Sequence, residues 1–275
     1  MHIFRINFLL IILLSSSDML ASYFPANSWE ISSPEEQQVR SDNVNALINL
    51  AFLDDSTQAV VVVKNGKIIS EKYAEGYDKN SHGTSWSMAK SYYAALIGIS
   101  IDKGEISSLD DKVGKYLDYF NDERSEITIR DLLDMSSGLD FPKDEHETMF
   151  FQEDHLKYAM NVGVEKSAGL KFEYNNVNSM LLGDILIAAT GKKADTLLKE
   201  RILDHIGVKD YKLWKDENGN VLTYCCVDMS ARDYSKIGLL FSRNGNWDGK
   251  QLISKKYVDE TFQVVWDITP ERFTE

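Results

Sequence analysis

The segment 87–103 constrains the fold of this 275-residue chain more than any other. Apolar side chains recur in it at the spacing of a helix, at Met88, Tyr92, Leu96 and Ile99. Further apolar residues fall on the other faces of that helix, among them Tyr93, Ala95 and Ile97. A helix that is apolar nearly all round is buried. We therefore expect a central helix here. A chain of 275 residues, 43% of them hydrophobic, is large enough to enclose it in a core.

Two apolar runs before this helix predict a β-hairpin. The runs 58–63 and 67–73 flank Asn65 and Gly66, which tolerate the positive φ angles of a tight turn. Helical patterns follow later, at 128–133, 178–189, 194–205 and 230–241. Strands followed by helices, rather than alternating with them, predict an α/β protein of the α+β type. We expect an antiparallel sheet flanked by helices, with a large helical insertion.

The first 21 residues have the pattern of an export signal. Arg5 precedes an apolar run at 8–14, and small residues follow at 15–17 and at Ala21. The run is too short to span a bilayer. We therefore expect an exported protein, periplasmic or secreted, whose mature domain 22–275 has no stable membrane span. The alternative is an N-terminal helix of the core. The formal net charge of −13 disfavours a nucleic acid as partner.

Ser87 and Lys90 form an S-x-x-K motif at the start of the predicted central helix. Residues three apart share one helix face, so the Lys90 amine can act as base for the Ser87 hydroxyl if its pKa is lowered. Backbone N–H groups at a helix N-terminus can also stabilise an oxyanion. The motif recurs at Ser100 and Lys103, where the helix ends, and we interpret Ser100 as structural. The alternative for Ser87 is an ordinary helix-capping serine.

Tyr174 and Asn176 form a Y-x-N motif before the helix predicted at 178–189. A tyrosine beside a Ser/Lys pair can relay a proton to a leaving group, and an asparagine can hold the lysine or a substrate carbonyl. The same pattern occurs at Tyr119 and Asn121, where we expect a solvated loop because the neighbouring residues are acidic. Tyr174 and Asn176 are therefore the candidates for the site.

These motifs resemble the class C β-lactamase and penicillin-recognising serine hydrolase family. The similarity begins with Trp-Ser-Met-Ala-Lys-Ser at 86–91 and Ile-Thr-Ile-Arg-Asp-Leu-Leu at 127–133. It continues in order through 136–139, 174–176, 181–183, 190–191, 230–233 and 245–249. The surroundings of Ser87 and of Arg232-Asp233 are most similar to the branch of 6-aminohexanoate-dimer hydrolases and related esterases.

The resemblance implies a β-lactamase/transpeptidase-like fold and a serine hydrolase. Ser87 would attack an amide or ester carbonyl and form an acyl-enzyme, with Lys90 and Tyr174 as general base and acid. Asn176 would bind the substrate, and water would release the acyl group. The partner is then a small-molecule amide or ester, and no metal or organic cofactor is needed. β-Lactams, D-amino-acid peptides, linear amides and simple esters all fit this machinery.

One family feature has no match in this sequence. The family carries a third motif, Lys-Thr-Gly or His-x-Gly, on a late strand that supplies one N–H of the oxyanion hole. No such segment follows Tyr174. We therefore expect a C-terminally truncated chain in which the last sheet strands are missing beside the hairpin. The departure also keeps open a non-catalytic alternative, a penicillin-binding-like protein that binds cell-wall peptides.

Other enzyme classes fit the sequence less well. The segment 83–87 lacks the last glycine of the G-x-S-x-G motif of α/β-hydrolases. Without that motif no histidine is needed for a Ser-His-Asp triad. We therefore expect four histidines, His82, His146, His155 and His205, to be surface residues. The run 145–147 lacks the spacing of an H-E-x-x-H metal site, and 216–219 has the composition of a turn.

The adjacent Cys225 and Cys226 are interpreted as buried free thiols, because a disulfide between neighbouring residues is strained.

Overall fold

A computed structural model describes residues 23–25, 28–141 and 148–267. The predicted export signal lies outside these residues, as does the run 145–147. Within the described part of the chain, no helix combines the length and the apolar character that crossing a membrane requires.

The described chain forms helices and short strands that are joined by turns and loops. The helices are α1 (Ser41–Ala51), α2 (Ala89–Asp102), α3 (Ile129–Leu133), α4 (His155–Asn161), α5 (Asn176–Thr190), α6 (Ala194–Leu198), α7 (Ala231–Ser242) and α8 (Lys255–Thr261). The strands are β1 (Ala59–Lys64), β2 (Lys67–Tyr73), β3 (His82–Thr84), β4 (Lys212–Leu213), β5 (Val227–Ser230), β6 (Asn246–Trp247) and β7 (Lys250–Gln251). This mixture of antiparallel sheets and helices confirms the predicted fold class.

Strands β1 and β2 form the predicted hairpin. They pair antiparallel from Ala59 opposite Tyr73 to Lys64 opposite Lys67, with an irregularity after Val62. Asn65 and Gly66 occupy the turn with φ angles of 53° and 83°, the left-handed region that a two-residue hairpin turn requires. Among the described residues, β1 has β2 as its only sheet neighbour.

The predicted central helix is α2, and it packs against α5. Tyr93, Leu96 and Ile97 of α2 are completely buried, as are Leu181 and Ile185 of α5. These side chains belong to one large cluster that also takes in α6, α7 and α8. The expectation of an enclosed apolar helix is therefore confirmed.

Several local predictions need correction. His155 is buried, whereas a surface position was expected, because α4 packs its histidine face against α5 and Tyr224. Cys225 and Cys226 are buried, but their sulphur atoms are in bonding contact across a cis peptide bond rather than being separate thiols. His82 and His205 are exposed as expected, and Gly219 closes the expected turn with its N–H on the Asp216 carbonyl.

Candidate active site

Ser87 lies in a single 3₁₀ turn, Trp86–Met88, that leads directly into α2. The turn follows β3, which pairs antiparallel with β5. Two hydrogen bonds of 2.9 Å link Ser85 to Val227 of β5: the Ser85 N–H donates to the Val227 carbonyl, and the Val227 N–H donates to the Ser85 hydroxyl. The sheet and the buried helix thus fix the turn from both sides and leave Ser87 exposed.

Lys90 joins the nucleophile candidate to the protein interior. Its Nζ donates to Ser87 Oγ at 2.9 Å and to the main-chain carbonyl of Tyr224 at 2.7 Å. Burial lowers the pKa of Lys90 to about 7, because a charged amine loses hydration in the interior. At neutral pH a substantial fraction of the amine is therefore uncharged and able to accept a proton from Ser87.

Tyr174 completes the predicted triad. Lys90 Nζ lies 5.0 Å from the centre of the Tyr174 ring, and the ring is 40% exposed. Asn175, the next residue, is buried and caps α5: its side chain accepts from the Val177 N–H and donates to the Leu139 carbonyl. These bonds fix the segment on which Tyr174 is carried. The structure thus brings Ser87, Lys90 and Tyr174 together.

Asn176 is the first residue of α5 and has a free acceptor. Its Oδ1 atom is buried, and among the described residues it meets no hydrogen-bond donor. A buried polar atom without a partner costs free energy. At a candidate site, such an atom is available for a ligand N–H group.

The second copies of the S-x-x-K and Y-x-N motifs make packing and hydrogen-bond contacts away from Ser87. Ser100 is completely buried and accepts a hydrogen bond of 3.0 Å from Arg201, as the interpretation of Ser100 as structural predicts. Tyr119 is half-buried, and its hydroxyl donates to Asp184 at 3.0 Å. The expectation of a solvated loop holds for Asn121 and the acidic neighbours, which are exposed, but not for the Tyr119 side chain, which packs inward.

Tyr224 is the site residue that the sequence motifs missed. Its carbonyl accepts from Lys90, its ring centre lies 5.7 Å from Lys90 Nζ, and its hydroxyl is 3.0 Å from Nδ1 of His155. Tyr224 and His155 are both buried. The contact between the Tyr224 hydroxyl and His155 holds in place the main chain whose carbonyl accepts the hydrogen bond from Lys90. No motif signals this contact, because it is made by a carbonyl 134 residues along the chain from Lys90.

A cavity of about 630 Å³ opens beside Lys90, between α2, α7 and α8. Its walls are mainly apolar and include Leu133, Leu182, Tyr257 and Phe262. Among the described residues, no group of three histidine, cysteine or acidic side chains is placed to hold a metal ion.

Fold and site define an α+β protein with an S-x-x-K centre. The family model described as Beta-lactamase matches residues 54–235, two thirds of the chain. The chain belongs to this family, which confirms the resemblance carried by its motifs.

Individual relatives agree with this assignment. The chain is 28% identical over 178 residues to a D-aminopeptidase of Brucella anthropi, covering 58% of this chain and 33% of the relative. It is 25% identical over 181 residues to an N-acetylmuramyl-L-alanine amidase of Bacillus subtilis, covering 54% and 41%. The chain thus spans well under half the length of these two relatives.

The fold has close counterparts among solved structures. The solved structure described as “Putative 6-aminohexanoate-dimer hydrolase from Bacillus anthracis” superposes with a TM-score of 0.72 at 21% identity. The superposition covers 86% of this chain and 67% of that protein. At this level of identity the similarity establishes the fold.

Proposed function

We propose that this chain is a serine hydrolase that cleaves an amide or ester through an acyl group carried on Ser87. The observation that supports this most directly is the 2.9 Å hydrogen bond between Lys90 Nζ and Ser87 Oγ, made by an amine whose pKa burial lowers to about 7. A serine hydroxyl is a weak nucleophile until a base takes its proton. The uncharged Lys90 amine is suited to that task.

The proposed acylation uses three side chains, Ser87, Lys90 and Tyr174. Ser87 Oγ bonds to the substrate carbonyl carbon while its proton passes to Lys90 Nζ, and the carbonyl oxygen takes up the negative charge. Collapse of this adduct breaks the bond to the leaving oxygen or nitrogen. That atom receives the proton from Lys90 through the hydroxyl of Tyr174, and the acyl group stays on Ser87.

Water then completes the reaction in the reverse order. Its proton passes to Lys90 as its oxygen attacks the acyl carbon, and the Ser87 oxygen leaves and is reprotonated. In this proposal Asn176 Oδ1, which is buried and has no hydrogen-bond partner among the described residues, accepts an N–H of an amide substrate. The D-aminopeptidase and amidase relatives are consistent with an amide as substrate.

Labelling with a fluorophosphonate tests the nucleophile. We expect a covalent adduct that peptide mapping places on Ser87, and its loss in Ser87→Ala. Ser100→Ala is the matched control: it alters the second S-x-x-K serine, which is buried against Arg201, and should leave labelling intact. The absence of any Ser87 adduct in folded protein would support the non-catalytic, peptide-binding alternative instead.

Replacing the lysine tests the base. We expect Lys90→Ala to slow acylation on the order of 10²–10⁴-fold, the usual contribution of a positioned general base. Circular dichroism and the melting temperature should show that the variant is folded. Ester turnover near the wild-type rate in that variant would exclude Lys90 as the base.

A further inference from the structure

Four aromatic side chains form a continuous surface beside Ser87. We call them the aromatic wall: Trp86, Phe150, Phe151 and Trp214. Phe150 is the central ring. Its centre lies 6.4 Å from Trp86, 5.9 Å from Phe151 and 6.3 Å from Trp214. Such centroid distances are those of packed aromatic pairs.

The aromatic wall is anchored to the elements that carry the site. The Trp214 Nε1–H donates to Asp228 of β5 at 2.8 Å, and the Thr84 hydroxyl at the end of β3 donates to the same carboxylate. The ring centres of Phe150 and His155 lie 6.2 Å apart, and His155 Nδ1 contacts the Tyr224 hydroxyl. The wall is thus connected on one side to the strand before Ser87 and on the other to the residue that receives Lys90.

The outer part of the wall is open to solvent. Trp86 is 61% exposed and Phe151 is 75% exposed, while Phe150 and Trp214 are half-buried behind them. Contiguous apolar surface of this kind commonly marks a ligand-binding site. Because Trp86 is the covalent neighbour of Ser87, this surface begins at the candidate nucleophile itself.

The backbone at Trp86 is strained. Its φ angle is +45°, in the left-handed region where a side chain with a Cβ is unfavourable. Strained residues persist where the surrounding structure enforces them, and they cluster at functional sites. Here the strain accompanies a large ring that is held outward beside Ser87 rather than being packed into the core.

We propose that the aromatic wall is a subsite for an uncharged, apolar acyl group, aliphatic or aromatic, of the substrate. The proposal rests on the function proposed for Ser87. Lys90 and Tyr174 must protonate the leaving atom, so the leaving group lies on their side of the scissile carbonyl. In the proposed arrangement, the acyl substituent lies on the other side of the carbonyl, along Trp86 towards Phe151.

The chemistry of the aromatic wall favours an uncharged group. All four side chains are uncharged, and the indole N–H of Trp214 is already engaged by Asp228. An apolar chain lying on these rings removes apolar surface of both partners from water, which is favourable for each methylene buried. An ammonium group on such an open aromatic surface gains less from a cation–π contact than an apolar chain gains from burying several methylenes along the rings.

A series of p-nitrophenyl esters tests the subsite. The acyl groups are acetyl, butyryl, hexanoyl and 6-aminohexanoyl, and kcat/KM is measured for each. For the wild type we expect a rise of about two- to fourfold per added methylene from acetyl to hexanoyl. The 6-aminohexanoyl ester should react more slowly than the hexanoyl ester. Preference for the amino ester would overturn the assignment of an uncharged group.

Two phenylalanine variants separate the aromatic wall from the cavity beside Lys90. Phe151→Ala should lower the hexanoyl-to-acetyl ratio of kcat/KM by about three- to tenfold, the loss expected for several methylenes. Phe262→Ala removes a ring of similar exposure, 68%, that lines the cavity, and should leave the ratio unchanged. A ratio that falls in Phe262→Ala but not in Phe151→Ala would place the acyl group in the cavity and overturn the proposal.

Fluorophosphonate labelling distinguishes this failure from a failure of the proposed function. If wild-type Ser87 is labelled and the ester ratio is the same in Phe151→Ala as in the wild type, the subsite is wrong and the hydrolase remains. If wild-type Ser87 is not labelled at all, the proposed function fails, and the subsite fails with it.

Discussion

Lys90 determines how the proposed reaction should depend on pH. Burial lowers the pKa of its amine to about 7, and only the uncharged amine can take the Ser87 proton. With an uncharged ester as substrate, kcat/KM should therefore rise with pH, level off above about pH 8, and show a single ionisation near 7. The measurement is a pH–rate profile from pH 5 to 9, corrected for spontaneous hydrolysis. An activity independent of pH across this range would mean that Lys90 is not the titrating base.

At the scale of single residues, the spacing of residues along the sequence predicts which side chains meet on one turn of a helix. Ser87 and Lys90 are three residues apart, and the structure joins them by a hydrogen bond. The contact from Lys90 to Tyr224 was not predictable, because a main-chain acceptor carries no residue-type signal. His155 was mistaken for a surface residue for a related reason: the tertiary packing of α4 against α5, and not the local sequence, buries it.

Helices α2 and α8 meet at a glycine, and this contact leads to a stability prediction. A Cβ atom at Gly98 would overlap the ring of Tyr257, whose hydroxyl donates to the Ala94 carbonyl at 2.6 Å. Alanine favours a helix by up to about 1 kcal/mol over glycine, but overpacking in a core costs typically about 1–3 kcal/mol. We expect Gly98→Ala to lower the free energy of unfolding by about 1–2 kcal/mol in urea denaturation.

Gly238 in α7 provides the matched control. A Cβ there would meet no other atom within 4 Å, so Gly238→Ala should be neutral or stabilising by up to about 1 kcal/mol. Equal effects of the two substitutions would show that helix propensity, and not the contact with Tyr257, decides the outcome at Gly98.

Elements with their own end signals were predictable, and those shaped by distant contacts were not. Asn65 and Gly66 fix the hairpin turn, Gly191 ends α5 with a φ of 71°, and Thr128 caps α3 together with Asp131. The pattern at 194–205 predicted one regular helix. The α-helical part, α6, ends at Leu198, and a π-helical turn, Lys199–Leu203, follows it directly. That turn carries Arg201 to Glu105 and Ser100, far along the chain.

At the scale of the whole molecule, the order of the elements predicted the class of fold but not the pairing of β3 with β5. The partners Thr84 and Asp228 are 144 residues apart, and strands of three or four residues carry little pattern of their own. Yet this pairing supports the Ser87 turn through Ser85 and Val227. The arrangement of the site therefore depends on long-range contacts, while the identities of its residues are visible in short motifs.

A second long-range contact ties the hairpin to α7 and leads to a pH-dependent stability prediction. Arg232 donates to both carboxylate oxygens of Glu71, at 2.8 and 2.5 Å, and its carbonyl accepts from the Trp29 indole at 3.1 Å. The hydrogen bonds from Arg232 lower the pKa of Glu71 below its ordinary value. A carboxylate of this kind stabilises the fold above the pKa it has in the unfolded chain, about 4.3, and the stabilisation is lost as the pH falls through the lower folded-state value.

Replacing Glu71 by glutamine leaves the Arg232 charge without its partner in a half-buried position. We expect Glu71→Gln to lower the free energy of unfolding by about 1–3 kcal/mol at pH 7, and the difference from wild type to shrink as the pH falls below about 4. Urea denaturation at pH 7, 5, 4 and 3 measures it. Glu75→Gln makes the same change of charge at an exposed position and should change stability by less than about 0.5 kcal/mol. A Glu71→Gln deficit that stays constant down to pH 3 would mean that the pair stabilises the fold through packing and not through its charge, because protonation of wild-type Glu71 would then cost nothing.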